Sequence, residues 1–191
     1  RYDDFMMRQP DKKKRTIVYI LDISNTMFYD LEGINSISYS VLSMVPLMWG
    51  LRREKYGLCL YESNSHIVKD LYEEIDVTPV LEDLIGMVTM STTEMEKRFS
   101  GGLSKATWGG TVPGKSLQWA HDQITEISDR SDRVVFIFSD FVLTQPGELT
   151  EENEQNYHIL ERMVDLGVRV CACVSPLAHK QLIDISRENA D

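Results

Sequence analysis

Thr16-Ile17-Val18-Tyr19-Ile20-Leu21 runs directly into Asp22-Ile23-Ser24-Asn25-Thr26. The first six residues are apolar, β-branched or aromatic and too few for an independent helix. They therefore read as a buried strand of a parallel sheet. The change to polar residues is abrupt. At the carboxyl end of such a strand, side chains face the crevice in which open α/β sheets bind ligands. A carboxylate and two hydroxyls spaced by two, Asp22, Ser24 and Thr26, can aim their oxygens at one point there. An all-oxygen set suits a hard cation such as Mg²⁺.

Outward from this strand, residues 1–15 are polar, end in Asp11-Lys12-Lys13-Lys14-Arg15, and read as a linker or the tail of a preceding region, with the domain spanning 16–191. Four basic residues in an acidic chain read as a solvated flank, not a nucleic-acid contact. After the polar loop, Ile34, Ile37, Val41, Met44, Val45 and Met48 recur at helical spacing, with Pro46 expected to bend or shorten the helix. Tyr56 to Tyr61 is a second strand. Glu62-Ser63-Asn64-Ser65 is turn chemistry before a short strand at His66 to Val68, which together make an edge hairpin.

Val80 to Val88 reads as a helix, Ser91 to Phe99 is polar and weakly patterned, and Gly101-Gly102 and Gly109-Gly110 bracket a loop. Thr111-Val112-Pro113 opens a helix with Leu117, Ala120, Ile124 and Ile127 inward. Val134 to Phe138 is a central strand that stops at Ser139-Asp140. Glu151 to Leu166 is an amphipathic helix closed by Gly167, followed by a strand at Val168 to Val174 and a closing helix at Leu177 to Ser186. Alternating strands and helices predict an α/β fold with a mostly parallel sheet flanked by helices.

The 191 residues suffice for one such domain, and a net charge of −10 argues against broad binding to nucleic acid or anionic lipid. No stretch makes a membrane span: Ile34 to Leu51 is interrupted by Asn35, Ser36, Ser38, Ser40 and Ser43. Cys59, Cys171 and Cys173 sit in apolar runs without metal-ligand spacing, and no Asn-x-Ser/Thr sequon is completed by a suitable third residue. Both features point to a cytoplasmic setting. A chain that begins with Arg reads as a fragment, so a leader lies outside this reading. His66, on a strand edge, has no neighbour in sequence that makes it a ligand or base, and His121, His158 and His179 fall in predicted helices.

Three loops thus carry oxygen ligands: Asp22, Ser24 and Thr26; Thr111; and Asp140. Asp-Ile-Ser-Asn-Thr after a first strand, Gly-Gly-Thr before a helix and Phe-Ser-Asp after a later strand resemble a von Willebrand factor A (vWA) domain from Thr16 to about Arg187. The motifs match its metal-ion-dependent adhesion site, written Asp-x-Ser-x-Ser, a Thr and an Asp. Thr26 replaces the second Ser and keeps the hydroxyl, while Phe141 follows Asp140 where many members have Gly.

The resemblance implies a three-layer Rossmann-like fold with one antiparallel edge strand. It also implies that Ser24, Thr26 and Thr111 contact Mg²⁺, with Mn²⁺ or Ca²⁺ as substitutes, while Asp22 and Asp140 hold its waters or coordinate it directly. An open coordination position would then take an Asp or Glu from a protein partner. Intracellular relatives often work with AAA+ ATPases of the MoxR or metal-chelatase kind, which implies such a partner here. The resulting expectation is a non-catalytic interaction module, with an extracellular or envelope adhesion module as the alternative. Asp22→Ala is expected to abolish metal-dependent partner capture while sparing the fold.

Two enzyme classes share parts of these motifs. Gly109-Gly110-Thr111-Val112-Pro113-Gly114-Lys115-Ser116 fits the Walker A pattern. A P-loop follows a buried strand directly, whereas the residues from Ser100 to Trp108 are rich in Gly, Ser, Lys and Thr with only scattered apolar side chains, and Pro113 removes an N–H from a phosphate cradle. A haloacid-dehalogenase-like phosphatase needs a second Asp as general acid, where this chain has Ser24, which cannot protonate a leaving group.

Overall fold

The computed structural model describes residues 14–30, 33–89, 111–127, 131–141 and 151–178. Strand β1 (Arg15–Asp22) is the middle of a five-stranded sheet with β2 (Lys55–Tyr61) and β4 (Asp132–Ser139) parallel to it on either side. β5 (Arg169–Val174) continues the parallel order beyond β4, and β3 (Ser65–Lys69) pairs antiparallel with β2 at the other edge. The order is β3-β2-β1-β4-β5. Seven of the eight β1 residues are buried, as its unbroken apolar run requires.

Period-two alternation sends successive side chains of β1 to opposite layers. Ile17, Tyr19 and Leu21 pack with Ile37, Met44, Leu81 and Leu84 of helices α1 (Ser36–Gly50) and α2 (Val77–Thr89). Val18 and Ile20 pack instead with Leu117, Ala120, Ile159 and Met163 of α3 (Gly114–Thr125) and α4 (Glu151–Asp165). The fold expected from the sequence, a mostly parallel sheet with one antiparallel edge strand and helices on both faces, is the observed one.

Local signals explain most boundaries. Asn35 caps α1 by accepting the Ser38 N–H at 3.0 Å. α2 begins three residues earlier than its periodicity suggests, because Asp76 accepts both the N–H and the hydroxyl of Thr78 at 3.0 and 3.1 Å. α4 ends where Gly167, at φ 74°, lets the Val168 N–H reach the Met163 carbonyl and the Gly167 N–H reach that of Val164. Pro46 does not shorten α1, which runs on to Gly50. Pro46 and Leu42 both lie on the exposed side, where water can satisfy the Leu42 carbonyl that Pro46 leaves without a donor. The linker at 1–13, the polar stretch at 91–99, the glycine loop at 101–110 and the closing helix beyond Ala178 lie outside the described residues.

Candidate metal centre

Chain order in the sheet reverses at β1: the chain goes from β1 to β2 on one side and later enters β4 on the other. The crevice outside the carboxyl ends of these strands is therefore a topological switch point, where open α/β sheets place ligands. Asp22 ends β1, and Asp140 directly follows β4.

β1 pairing extends one residue beyond Asp22 through the Ile23 N–H to the Tyr61 carbonyl, 2.8 Å. Ser24, in an extended conformation, then turns the chain into a single 3₁₀ turn, Asn25–Phe28. That turn folds Thr26 back so that its Oγ1 lies 3.1 Å from Ser24 Oγ. The turn also buries Met27, whose Sδ accepts the Asp140 N–H at 3.2 Å and ties the first loop to the third.

Asp22 is the hub. Its side chain is fully buried. Oδ1 accepts the Ser24 N–H at 2.8 Å, and Oδ2 accepts the hydroxyls of Tyr61 at 3.1 Å and Ser139 at 2.6 Å. Burial pushes its carboxyl pKa above the ordinary value, with these hydrogen bonds acting in the opposite direction. The same burial, reinforced by the Asp22 charge, holds the Tyr61 phenol well above its usual range, so Tyr61 remains a donor. Asp22→Ala would leave three donors facing an apolar methyl. The expectation that this substitution spares the fold is therefore corrected: the carboxylate is a buried hydrogen-bond acceptor as well as a candidate ligand.

Of the five candidate ligands, the structure joins Asp22, Ser24 and Thr26 by direct hydrogen bonds and brings buried Asp140 beside them through Ser139 and Met27. Thr111 is held separately. The Val112 N–H donates to the Glu62 carbonyl at 3.0 Å, fixing the start of α3 to the end of β2. Thr111 shares a cavity wall with Tyr61 and Ser139, and no described hydrogen bond joins its hydroxyl to the other four.

The donor chemistry fits a hard dication. Two cis oxygens of an octahedral Mg²⁺, each about 2.1 Å from the ion, stand about 3.0 Å apart. The Ser24 and Thr26 hydroxyls are 3.1 Å apart. Among the described residues no group of three or more His, Cys, Asp and Glu side chains is placed to hold a metal. A cation here would thus depend on hydroxyl oxygens to supplement the two carboxylates.

Sequence reasoning missed three supporting residues. Ser139 and Tyr61 reach Asp22 only through strand register, with Asp22 opposite Tyr61. Glu62, which reads as part of an exposed turn, is fully buried and accepts from the Ser63 N–H. Its Oε1 lies 3.1 Å from His66 Nε2, so His66 has a carboxylate partner that its sequence neighbours did not reveal. The Walker A reading also loses a residue. A P-loop offers its Ser to Mg²⁺, whereas Ser116 is fully buried, its hydroxyl 2.7 Å from that of Ser65 and 3.4 Å from Cys59 Sγ.

The same architecture occurs in solved structures. An aerotolerance-related membrane protein from Bacteroides fragilis superposes with a TM-score of 0.59 at 16% identity, covering 84% of this chain and 67% of that one. BatB from Bacteroides thetaiotaomicron gives 0.55 at 15% identity, over 82% and 64% of the two chains. The manganese-loaded TRAP protein of Plasmodium vivax gives 0.53 at 13% identity, over 85% and 57%. The chain thus spans about two thirds or less of the length of each. No protein-family model matches the sequence, and no curated protein sequence matches it. The likeness together with the strand order defines the class: a three-layer α/β domain of vWA-like fold. Among the described residues, no helix is long and apolar enough to cross a membrane.

Proposed function

We propose that this domain is a divalent-cation-dependent protein-interaction module, acting without catalysis of its own, that captures an acidic side chain of a partner. The observation that carries the reading is the cluster at the switch point. There Asp22 is tied to Ser24 and Ser139, and Ser24 and Thr26 present paired hydroxyls, with Asp140 beside them. Ser24, Thr26 and Thr111 would hold the ion through neutral oxygens, with Asp22 and Asp140 balancing its charge. A bound dication would supply a strong, directional site for a carboxylate.

Mg²⁺ is the proposed ion on donor hardness, with Mn²⁺ or Ca²⁺ able to replace it; the manganese-loaded state of the TRAP neighbour supports a divalent cation without selecting among these. The proposed setting is cytoplasmic, with an AAA+ ATPase of the MoxR kind as partner. An envelope-associated module is the second reading, favoured by the description of the Bacteroides fragilis neighbour as a membrane protein.

The test is binding of Mg²⁺ and Mn²⁺ by calorimetry, followed by capture of immobilised Glu-containing peptides in Mg²⁺ and in EDTA. Binding lost in EDTA and in Asp22→Asn supports the module. Equal capture with and without chelator overturns it.

A further inference from the structure

Beside the candidate metal centre lies a cavity of about 280 Å³ between α3, α4 and the carboxyl ends of β2 and β4. Tyr61, Leu117, Ile137, Phe141, Tyr157 and Leu160 supply most of its wall, and among the described residues no side chain that is ionised at neutral pH lines it. Thr111 and Ser139 also line it, and two of its lining residues, Tyr61 and Ser139, donate hydrogen bonds to Asp22, so cavity and candidate centre share a border.

The rim is unusual. Phe141, immediately after Asp140, is the one described non-glycine residue with positive φ, 53°, and the residue is 40% exposed. Left-handed backbone is unfavourable for a residue with a Cβ and persists where the surroundings impose it. Here the Phe141 N–H is fixed to Ser139 Oγ at 2.9 Å. Tyr157, which also lines the cavity, is 61% exposed. Two exposed aromatic residues thus line an uncharged hollow, smaller than most drug-sized pockets and suited to one side chain.

Resting on the functional reading above, we infer that this cavity is a specificity subsite that takes a bulky apolar side chain of the partner, next in its sequence to the acidic residue bound at the metal centre. The occupant follows from charge and continuity. Asp22 and Asp140 with a dication call for a carboxylate, and the uncharged wall starting at Ser139 calls for a hydrocarbon beside it. Burying a leucine-sized group there corresponds to about tenfold or more in affinity.

The experiment selects phage-displayed random heptapeptides on the whole chain in MgCl₂ with elution by EDTA. Enriched peptides are then synthesised with the apolar residue intact or replaced by Ser. Enrichment of Asp or Glu within two positions of Leu, Ile, Met or Phe is the expected result. The affinity ratio of the Leu to the Ser peptide should fall from about tenfold to near unity in Phe141→Gly and in Tyr157→Ala. Phe141→Gly relieves backbone strain, so loss of folding does not confound it.

Acidic peptides without an apolar neighbour, or a ratio unchanged in both variants, overturn the subsite while leaving the metal-dependent module standing. No EDTA-eluted peptides at all overturns both. Concentration-dependent dimerisation in ultracentrifugation, lost in Tyr157→Ala, would assign the cavity to a second copy of the chain and overturn the inference.

Discussion

Asp22→Asn separates the two roles of the buried carboxylate. In wild type without metal, Asp22 carries its charge into a fully buried position and is compensated by three hydrogen bonds. Its folded pKa stands above the unfolded value, mainly because of burial. The native state therefore binds more protons than the unfolded chain over that interval. The stabilisation is complete below the ordinary carboxylate range and is lost as pH rises through the folded value.

Asn removes the charge and keeps Oδ1 as acceptor for the Ser24 N–H, while the Tyr61 and Ser139 hydroxyls must rotate to accept from its amide. Metal-free stability near neutral pH should then lie within about 1 kcal/mol of wild type. Asp22→Ala is a poor substitute, since three abandoned donors at ~1–3 kcal/mol each approach the whole stability of a domain.

A cation at about 100 times its dissociation constant adds ~2.7 kcal/mol, and a domain of this size shifts by roughly 2–4 °C per kcal/mol. Wild type should therefore melt about 5–11 °C higher in excess MgCl₂ than in EDTA. Asp22→Asn should show no increment. Because the ion competes with the proton for Asp22, the wild-type increment should shrink as pH falls through the folded carboxyl pKa. Differential scanning calorimetry measures all three quantities. An undiminished increment in Asp22→Asn, or one independent of pH across the acid range, refutes the assignment.

Gly57→Ala places a methyl 3.2 Å from the Trp119 ring and 3.4 Å from the Lys69 carbonyl, and should cost about 1–3 kcal/mol in urea unfolding; no change in midpoint would show that α3 is not seated tightly on β2. Asn35→Ala removes the α1 cap and should cost about 1 kcal/mol, with Asn35→Ser recovering most of it in the same titration. Lys115→Ala, at an exposed position in the first turn of α3, should leave stability within about 0.5 kcal/mol and Mg²⁺-dependent peptide capture intact; loss of capture, or ATP hydrolysis in wild type that this change abolishes, would revive the Walker A reading.

The layers and strand sequence were legible because each apolar run has a single reading. Thr16–Leu21 is too short for a helix and too continuous for a half-exposed strand, and Leu117, Ala120 and Ile124 recur at helical spacing. Three candidate ligands were legible as a motif because Asp22, Ser24 and Thr26 are neighbours in sequence. What supports them was not. Tyr61 and Ser139 meet Asp22 through parallel register across β2, β1 and β4, which no local pattern encodes.

Glu62 misled for a related reason. A glutamate followed by Ser63, Asn64 and Ser65 carries every sign of a solvated turn. Its burial arises because the segment opening α3 lies against it, with the Val112 N–H on its carbonyl, and because His66 returns along β3 to face its carboxylate.

That brace links the hairpin to the second ligand loop. Thr111 is positioned by Val112 on Glu62, and Glu62 follows directly on Tyr61, whose hydroxyl holds Asp22. Asp140 is positioned from the other side by Met27 and by Ser139 on the same Asp22 oxygen. The three loops are thus coupled through β1 and its buried carboxylate, so neutralising Asp22 changes the field on every candidate ligand at once. If the loops act as one site, substitutions at Glu62 and Ser139 should be non-additive in cation binding with Thr26→Ala, which removes one hydroxyl ligand and leaves Asp22 in place to retain measurable affinity, although neither Glu62 nor Ser139 is itself a proposed ligand. Additive effects in that double-mutant cycle would mean that the loops are neighbours without being a single site.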